Sequence, residues 1–142
     1  MLHHLTLWVP DLERAAPSWR WLLCEQLGYA VDERSGDQLL LFRHEVGFTL
    51  VLEQSLDMVP GMLHSRLRPG LNHVAFTLPS SAVLADILDG AGEYGWSPLP
   101  VDPHPIAGRS EVAYLEDRDG FEVELVVSAA PTTAGGARPA PG

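Results

Sequence analysis

Residues 71–78, LNHVAFTL, repeat in outline a stretch near the start of the chain, residues 2–9, LHHLTLWV. Successive side chains of a strand point to opposite faces. Counting by twos therefore puts Leu71, His73, Ala75 and Thr77 on one face and Asn72, Val74, Phe76 and Leu78 on the other. In the earlier stretch Leu5, Leu7 and Val9 form the apolar face, opposite His4, Thr6 and Trp8. His3 falls on the apolar side, which makes His4 the better ligand candidate of the two. A lone histidine on such a face is more often structural than functional. Here, however, His73 has a counterpart. Placing His4 on His73, an offset of 69 residues, also lays Val9-Pro10-Asp11 on Leu78-Pro79-Ser80.

The register extends outward from these two strands. In the first copy, Asp11 can cap a helix over DLERAAPSWRWLLCEQLG, which stops at Gly28. Pro17 removes a donor and clashes with the preceding turn, so it should kink this helix or confine its regular part to residues after about Ala15. YAVDER, LLLFRH and GFTLVLEQ follow, divided by SGDQ and HEVG, and read as a three-stranded meander. The second copy repeats this order. Its strand ends at Pro79-Ser80, SSAVLADILDGAGEYG is an amphipathic helix with a serine cap, and SPLPVD, EVAYLED and GFEVELVV are three further strands. An internal duplication is the economical explanation. We expect an α+β fold of two βαβββ modules, residues 1–54 and 71–127, whose curved sheets form an open, barrel-like cup. A Pro- and Gly-containing connection, 55–70, separates the modules, and a flexible tail rich in small residues, 128–142, follows them.

Composition narrows the partners. Hydrophobic residues make up 46% of the chain and charged ones 20%, the range of a packed globular protein rather than a disordered one. All nine basic residues are arginine, against nineteen acidic ones, for a formal charge of -10. Repulsion at long range disfavours nucleic acid and anionic membrane. A single cysteine, Cys24, lies in an apolar helical context and reads as a structural thiol; it excludes an intramolecular disulfide framework and is compatible with a reducing compartment. With no basic region followed by a long apolar core at the N-terminus, and no apolar run of spanning length, the expectation is a cytoplasmic protein.

Strand parity can be applied to the carboxylates as well. In GFTLVLEQ the packing set is Phe48, Leu50 and Leu52, opposite Thr49, Val51 and Glu53. In GFEVELVV it is Phe121, Val123 and Leu125, opposite Glu122, Glu124 and Val126. Each module thus carries one histidine on its first strand and at least one carboxylate on its last, all opposite the helix-covered face. If those faces line a common cup, His4, Glu53, His73 and Glu124 are candidate ligands for a divalent first-row metal (Fe, Ni, Co, Mn or Zn), with positions left for water or substrate. Thr6, Trp8 and Glu122 share the cup face as candidate substrate contacts. His104, in the loop DPHPIAGRS, could close over the cup as an acid or base, whereas His44 and His64 read as turn and loop residues.

The two βαβββ units, the opening HHLTLWVPDLE, the midpoint RPGLNHVAFTL and the closing YLEDRDGFEVELV resemble the vicinal oxygen chelate superfamily. This group includes glyoxalase I, the bleomycin-resistance proteins, extradiol dioxygenases and methylmalonyl-CoA epimerase. The likeness covers residues 2–127, with Arg118 standing where the usual closing turn has proline. The resemblance implies that His4, His73 and Glu124 occupy ligand positions. Laying Gly47-Phe48 on Gly120-Phe121 matches Glu124 to Val51, with Glu53 one pleat further along. Either the register slips and Glu53 is the fourth ligand, or the site is a two-histidine, one-carboxylate triad with Glu53 as base. The implied function is a metal-dependent enzyme acting on a small oxygen-chelating substrate, of isomerase, lyase or dioxygenase type. The alternative is a drug-sequestering binding protein of the bleomycin-resistance kind. A homodimer is expected, with the modules pairing within one chain or across two.

Overall fold

The computed structural model describes residues 2–32, 38–46, 48–100 and 109–128. The first module comprises β1 (His4–Trp8), α1 (Leu12–Arg20), a π-helical turn (Trp21–Gln26), β2 (Ala30–Asp32), β3 (Leu39–Arg43) and β4 (Thr49–Glu53). The second comprises β5 (His73–Leu78), α2 (Ser81–Gly90), a 3₁₀ turn (Ala91–Tyr94), β6 (Ser97–Leu99), β7 (Arg109–Glu116) and β8 (Glu122–Ser128). The sheets have matching orders, β1-β4-β3-β2 and β5-β8-β7-β6. In each, the first strand runs parallel to the last and the other pairs are antiparallel. This is the open, cup-like α+β architecture expected from the duplication; neither sheet closes into a barrel.

The repeat extends to individual cross-strand partners. His4 faces Thr49 and Thr6 faces Val51 in the first sheet, just as His73 faces Glu122 and Ala75 faces Glu124 in the second. The pairing of β1 with β4 is continuous from His4 to Trp8, so the register does not slip. Val51 therefore occupies the place of Glu124, and Glu53 lies beside Trp8, one pleat beyond it.

Both helices start at side-chain caps: the Asp11 carboxylate accepts from the Arg14 amide at 2.9 Å, and the Ser80 hydroxyl accepts from the Val83 amide at 3.4 Å. The expectation that Pro17 confines the first helix to residues after Ala15 is not met, because α1 is regular from Leu12 through Pro17. Only one helical donor is lost, while Leu12, Ala15, Ser18 and Trp19 keep a continuous buried stripe across it. The irregularity appears a turn later: the Leu27 amide reaches back five residues to the Leu22 carbonyl at 3.1 Å.

The two modules share one core, built from the helix-covered faces of both sheets. Trp19 of α1 lies edge-on to Trp96 with ring centroids 5.1 Å apart, and both rings are essentially buried. Trp21 stacks on Tyr94 at 4.6 Å. The polar ends of the two buried indoles are satisfied: Trp19 Nε1 donates to Asp117 Oδ2 at 3.0 Å, and Trp96 Nε1 donates to the Ser18 carbonyl at 3.1 Å. Asp117 also accepts the Asp119 and Phe121 amides on its other oxygen, and so shapes the β7–β8 turn. That turn needs its glycine. Gly120 has φ of +88°, and a Cβ there would lie 2.5 Å from the His64 carbonyl oxygen of the inter-module connection. No described helix is long and apolar enough to cross a membrane.

Candidate metal centre

Parity assigned the faces of β1 correctly. On β1, Leu7 and Val9 are buried while His4, Thr6 and Trp8 are exposed, the Trp8 indole by 46%. On β8 the outward positions are not solvated. Glu122 and Glu124 are 8% and 3% exposed, so each carboxylate requires an opposing charge or hydrogen-bond donors.

Glu124 has both. Its Oε2 lies 3.1 Å from His73 Nε2, and its Oε1 accepts the Tyr114 hydroxyl at 3.1 Å. Tyr114 reaches it because β7 pairs Tyr114 directly with Glu124, and the tyrosine ring also stands edge-on to His73 at 5.8 Å. The other nitrogen of His73, Nδ1, is 2.7 Å from Asn72 Oδ1. Counting by twos sent Asn72 to the opposite face from His73. β5 begins only at His73, so strand parity does not bind Asn72, and its side chain turns back toward the imidazole.

Glu122 is neutralised from the inter-module connection. Arg66 Nε donates to Glu122 Oε2 at 2.8 Å, and its Nη1 donates to Glu116 Oε1 at 3.3 Å. A pocket of about 110 Å³ opens beside this pair, lined by Arg66, Asn72, His73, Tyr114, Glu122, Leu99 and Pro100.

The first module places its candidates elsewhere. His4 Nδ1 lies 2.8 Å from His3 Nδ1, and Glu53 Oε2 accepts the Trp8 indole N–H at 2.9 Å. Glu53 pairs across the sheet with Trp8, four residues along the strand from His4, a span of roughly 13 Å at the usual rise. Among the described residues, no three His, Cys, Asp or Glu side chains come close enough to hold a metal ion together. His73 and Glu124 therefore meet as a pair, without His4 or Glu53. His104 lies outside the described residues.

Thr6 and Trp8 line a second pocket of about 370 Å³, whose other walls include Met62, Leu63, Arg68 and Phe121. His64, read from sequence as a loop residue, stacks on Phe121 at 4.4 Å; its Nε2 is buried with no hydrogen-bond partner among the described residues, and burial lowers its pKa. Asn72, Tyr114 and Arg66 are the contributors to the centre that sequence reading missed. Asn72 adjoins His73 in the chain and was legible in principle, whereas Tyr114 and Arg66 are brought in by register and by the path of the connection.

Residues 3–114 match the glyoxalase/bleomycin resistance protein/dioxygenase superfamily. The chain belongs to this superfamily. It is also 32% identical over 127 residues to the uncharacterized protein YqjT of Bacillus subtilis (strain 168), covering 88% of this chain and 97% of that one. Among solved structures, a Bacillus halodurans protein provisionally named a glyoxalase superposes with a TM-score of 0.75 at 32% identity, covering 89% of this chain and 95% of that one. The same fold, at 20% identity and a TM-score of 0.66, is seen in a mutant of the fosfomycin resistance protein FosX from Listeria monocytogenes, over 91% of this chain and 90% of that one. That structure is complexed with Mn(II) and 1S,2S-dihydroxypropylphosphonic acid. This superfamily is also known as the vicinal oxygen chelate group.

Proposed function

We propose that this vicinal oxygen chelate protein is a divalent-metal-dependent enzyme, cytoplasmic and homodimeric, acting on a small substrate through two neighbouring oxygens. His73 and Glu124 of one chain and His4 of a second copy would hold the ion. The observation carrying this reading is the 3.1 Å approach of His73 Nε2 to Glu124 Oε2 at a carboxylate that is almost fully buried. The donor set fits a cation. Two donors each about 2.1 Å from one ion and at right angles to each other stand about 3 Å apart. Imidazole and carboxylate are suitable ligands for Mn, Fe, Co, Ni or Zn, and a third protein donor still leaves positions open.

When bound, such an ion supplies Lewis acidity that stabilises negative charge on a substrate oxygen. The protein's own groups would do the rest. Glu122, fixed by Arg66, lines the pocket beside His73 and limits it to a small polar group. Glu53 has no role at the ion in this reading, since it lies in continuous register beside Trp8, roughly 13 Å along the strand from His4, with its Oε2 held by the indole N–H. Isomerase or lyase chemistry and dioxygenation both fit three protein ligands.

Metal analysis of protein purified without chelator tests this reading. About one equivalent per chain is expected in the wild type, and a large loss in His73→Ala. Less than a tenth of an equivalent in the wild type, unchanged after Mn(II) or Co(II) is added back, would overturn it. The exposed Trp8 indole, in a pocket large enough for an aromatic group, favours a second reading: sequestration of a flat drug without chemistry. Metal-independent, saturable quenching of Trp8 fluorescence by an aromatic ligand would support it.

A further inference from the structure

The imidazole of His73 is held from behind. Asn72 Nδ2 donates to the Arg66 carbonyl oxygen at 3.0 Å. A carbonyl oxygen only accepts, so this contact settles which end of the Asn72 amide faces the connection. The Asn72 carbonyl end is thereby turned to His73, where it stands 2.7 Å from Nδ1. It too only accepts, so Nδ1 must carry the hydrogen, and Nε2 is the nitrogen presented to Glu124. The same connection residue, Arg66, binds Glu122 and Glu116 through its guanidinium. The seating of the 55–70 connection and the orientation of the imidazole are thus linked through one amide side chain.

We propose that Asn72 is a positioning residue that fixes the rotation of the His73 ring so that Nε2 faces Glu124, and that the Arg66 carbonyl fixes Asn72 in turn. The consequence for metal binding rests on the metal-site reading above; the ring orientation does not. A side chain that orients a ligand histidine through its second nitrogen commonly contributes about tenfold to hundredfold in metal affinity.

The test uses the full-length protein and three forms: wild type, Asn72→Ala, and Asn72→Asp. The last keeps an acceptor for Nδ1 but gives up the donor to Arg66. Side-chain ¹³C relaxation of the His73 ring in metal-free protein is expected to report a rigid ring in the wild type, a mobile one in Asn72→Ala, and only partly recovered order in Asn72→Asp, whose acceptor is no longer fixed by the Arg66 carbonyl. Cobalt(II) titration followed by visible absorption should show affinity falling about tenfold to hundredfold in Asn72→Ala and partly restored in Asn72→Asp. A ring as ordered in Asn72→Ala as in the wild type overturns the proposal, whatever the metal does. Wild-type protein that takes up no cobalt(II), yet loses ring order in Asn72→Ala, would sink the metal reading and leave Asn72's role standing.

Discussion

Tyr114 has no charge and lies on a different strand from either member of the pair, yet its hydroxyl completes the shell around Glu124. Tyr114→Phe keeps the buried ring and removes only the donor. We expect the fold to survive and Mn(II) affinity, read by equilibrium dialysis, to fall about tenfold. His64 makes a second prediction at this scale. Burial lowers its folded pKa below the unfolded value, so between the two the unfolded chain binds more protons. Its contribution to stability is therefore present above the ordinary imidazole range and lost as pH falls through the folded value. Tm measured from pH 8 down to pH 5 should decline on the acid side, and the decline should be shallower in His64→Gln. Single residues also mark the limit of sequence reading. Parity identified His4, Thr6 and Trp8 as outward-facing, but it could not tell that Glu122 and Glu124, outward by the same count, are buried under partners from β5, β7 and the connection.

At the scale of elements, the β7–β8 turn ties the second module to α1 and to the connection. Asp117 accepts the Trp19 indole and two turn amides, so Asp117→Ala would leave three inward-facing donors without their acceptor. A loss of about 3 kcal/mol is expected in urea unfolding, with Asp117→Asn recovering part of it. Gly120→Ala in the same turn should cost about 1 to 3 kcal/mol, from the left-handed backbone and the overlap with His64. The strand-helix-strand-strand-strand order of both modules was legible because hydrophobic alternation and cap residues are local properties. The helix is regular on both sides of Pro17, so the first turn is not lost: the cost of one missing helical donor is local, whereas the burial of Trp19 that opposes it is not. The register of β4 was left open by the sequence, since both Val51 and Glu53 satisfy the same parity; only the pairing with β1 decides between them.

For the whole molecule, the placement of His4 apart from the His73–Glu124 pair leads to the sharpest prediction. If a second copy supplies His4, then His4→Ala and His73→Ala chains will each fail to bind Mn(II) alone. Co-expressed, they will form hybrids with one intact site per dimer, and metal content per hybrid will recover to half that of the wild type. Hybrids that bind none would place all ligands within one chain or dispose of the triad. Sedimentation of the wild type should show a dimer throughout.

The amino-acid sequence by itself determined the duplication, the two sheets, the face on which each candidate ligand sits and the family resemblance, because these depend on spacing along the chain. The tertiary structure alone decided which of the candidates meet. That outcome depends on how the helix-covered faces pack into one core around Trp19 and Trp96, and on where the connection carries Arg66 against Glu122. Those contacts join residues far apart in the chain, and no local spacing encodes them.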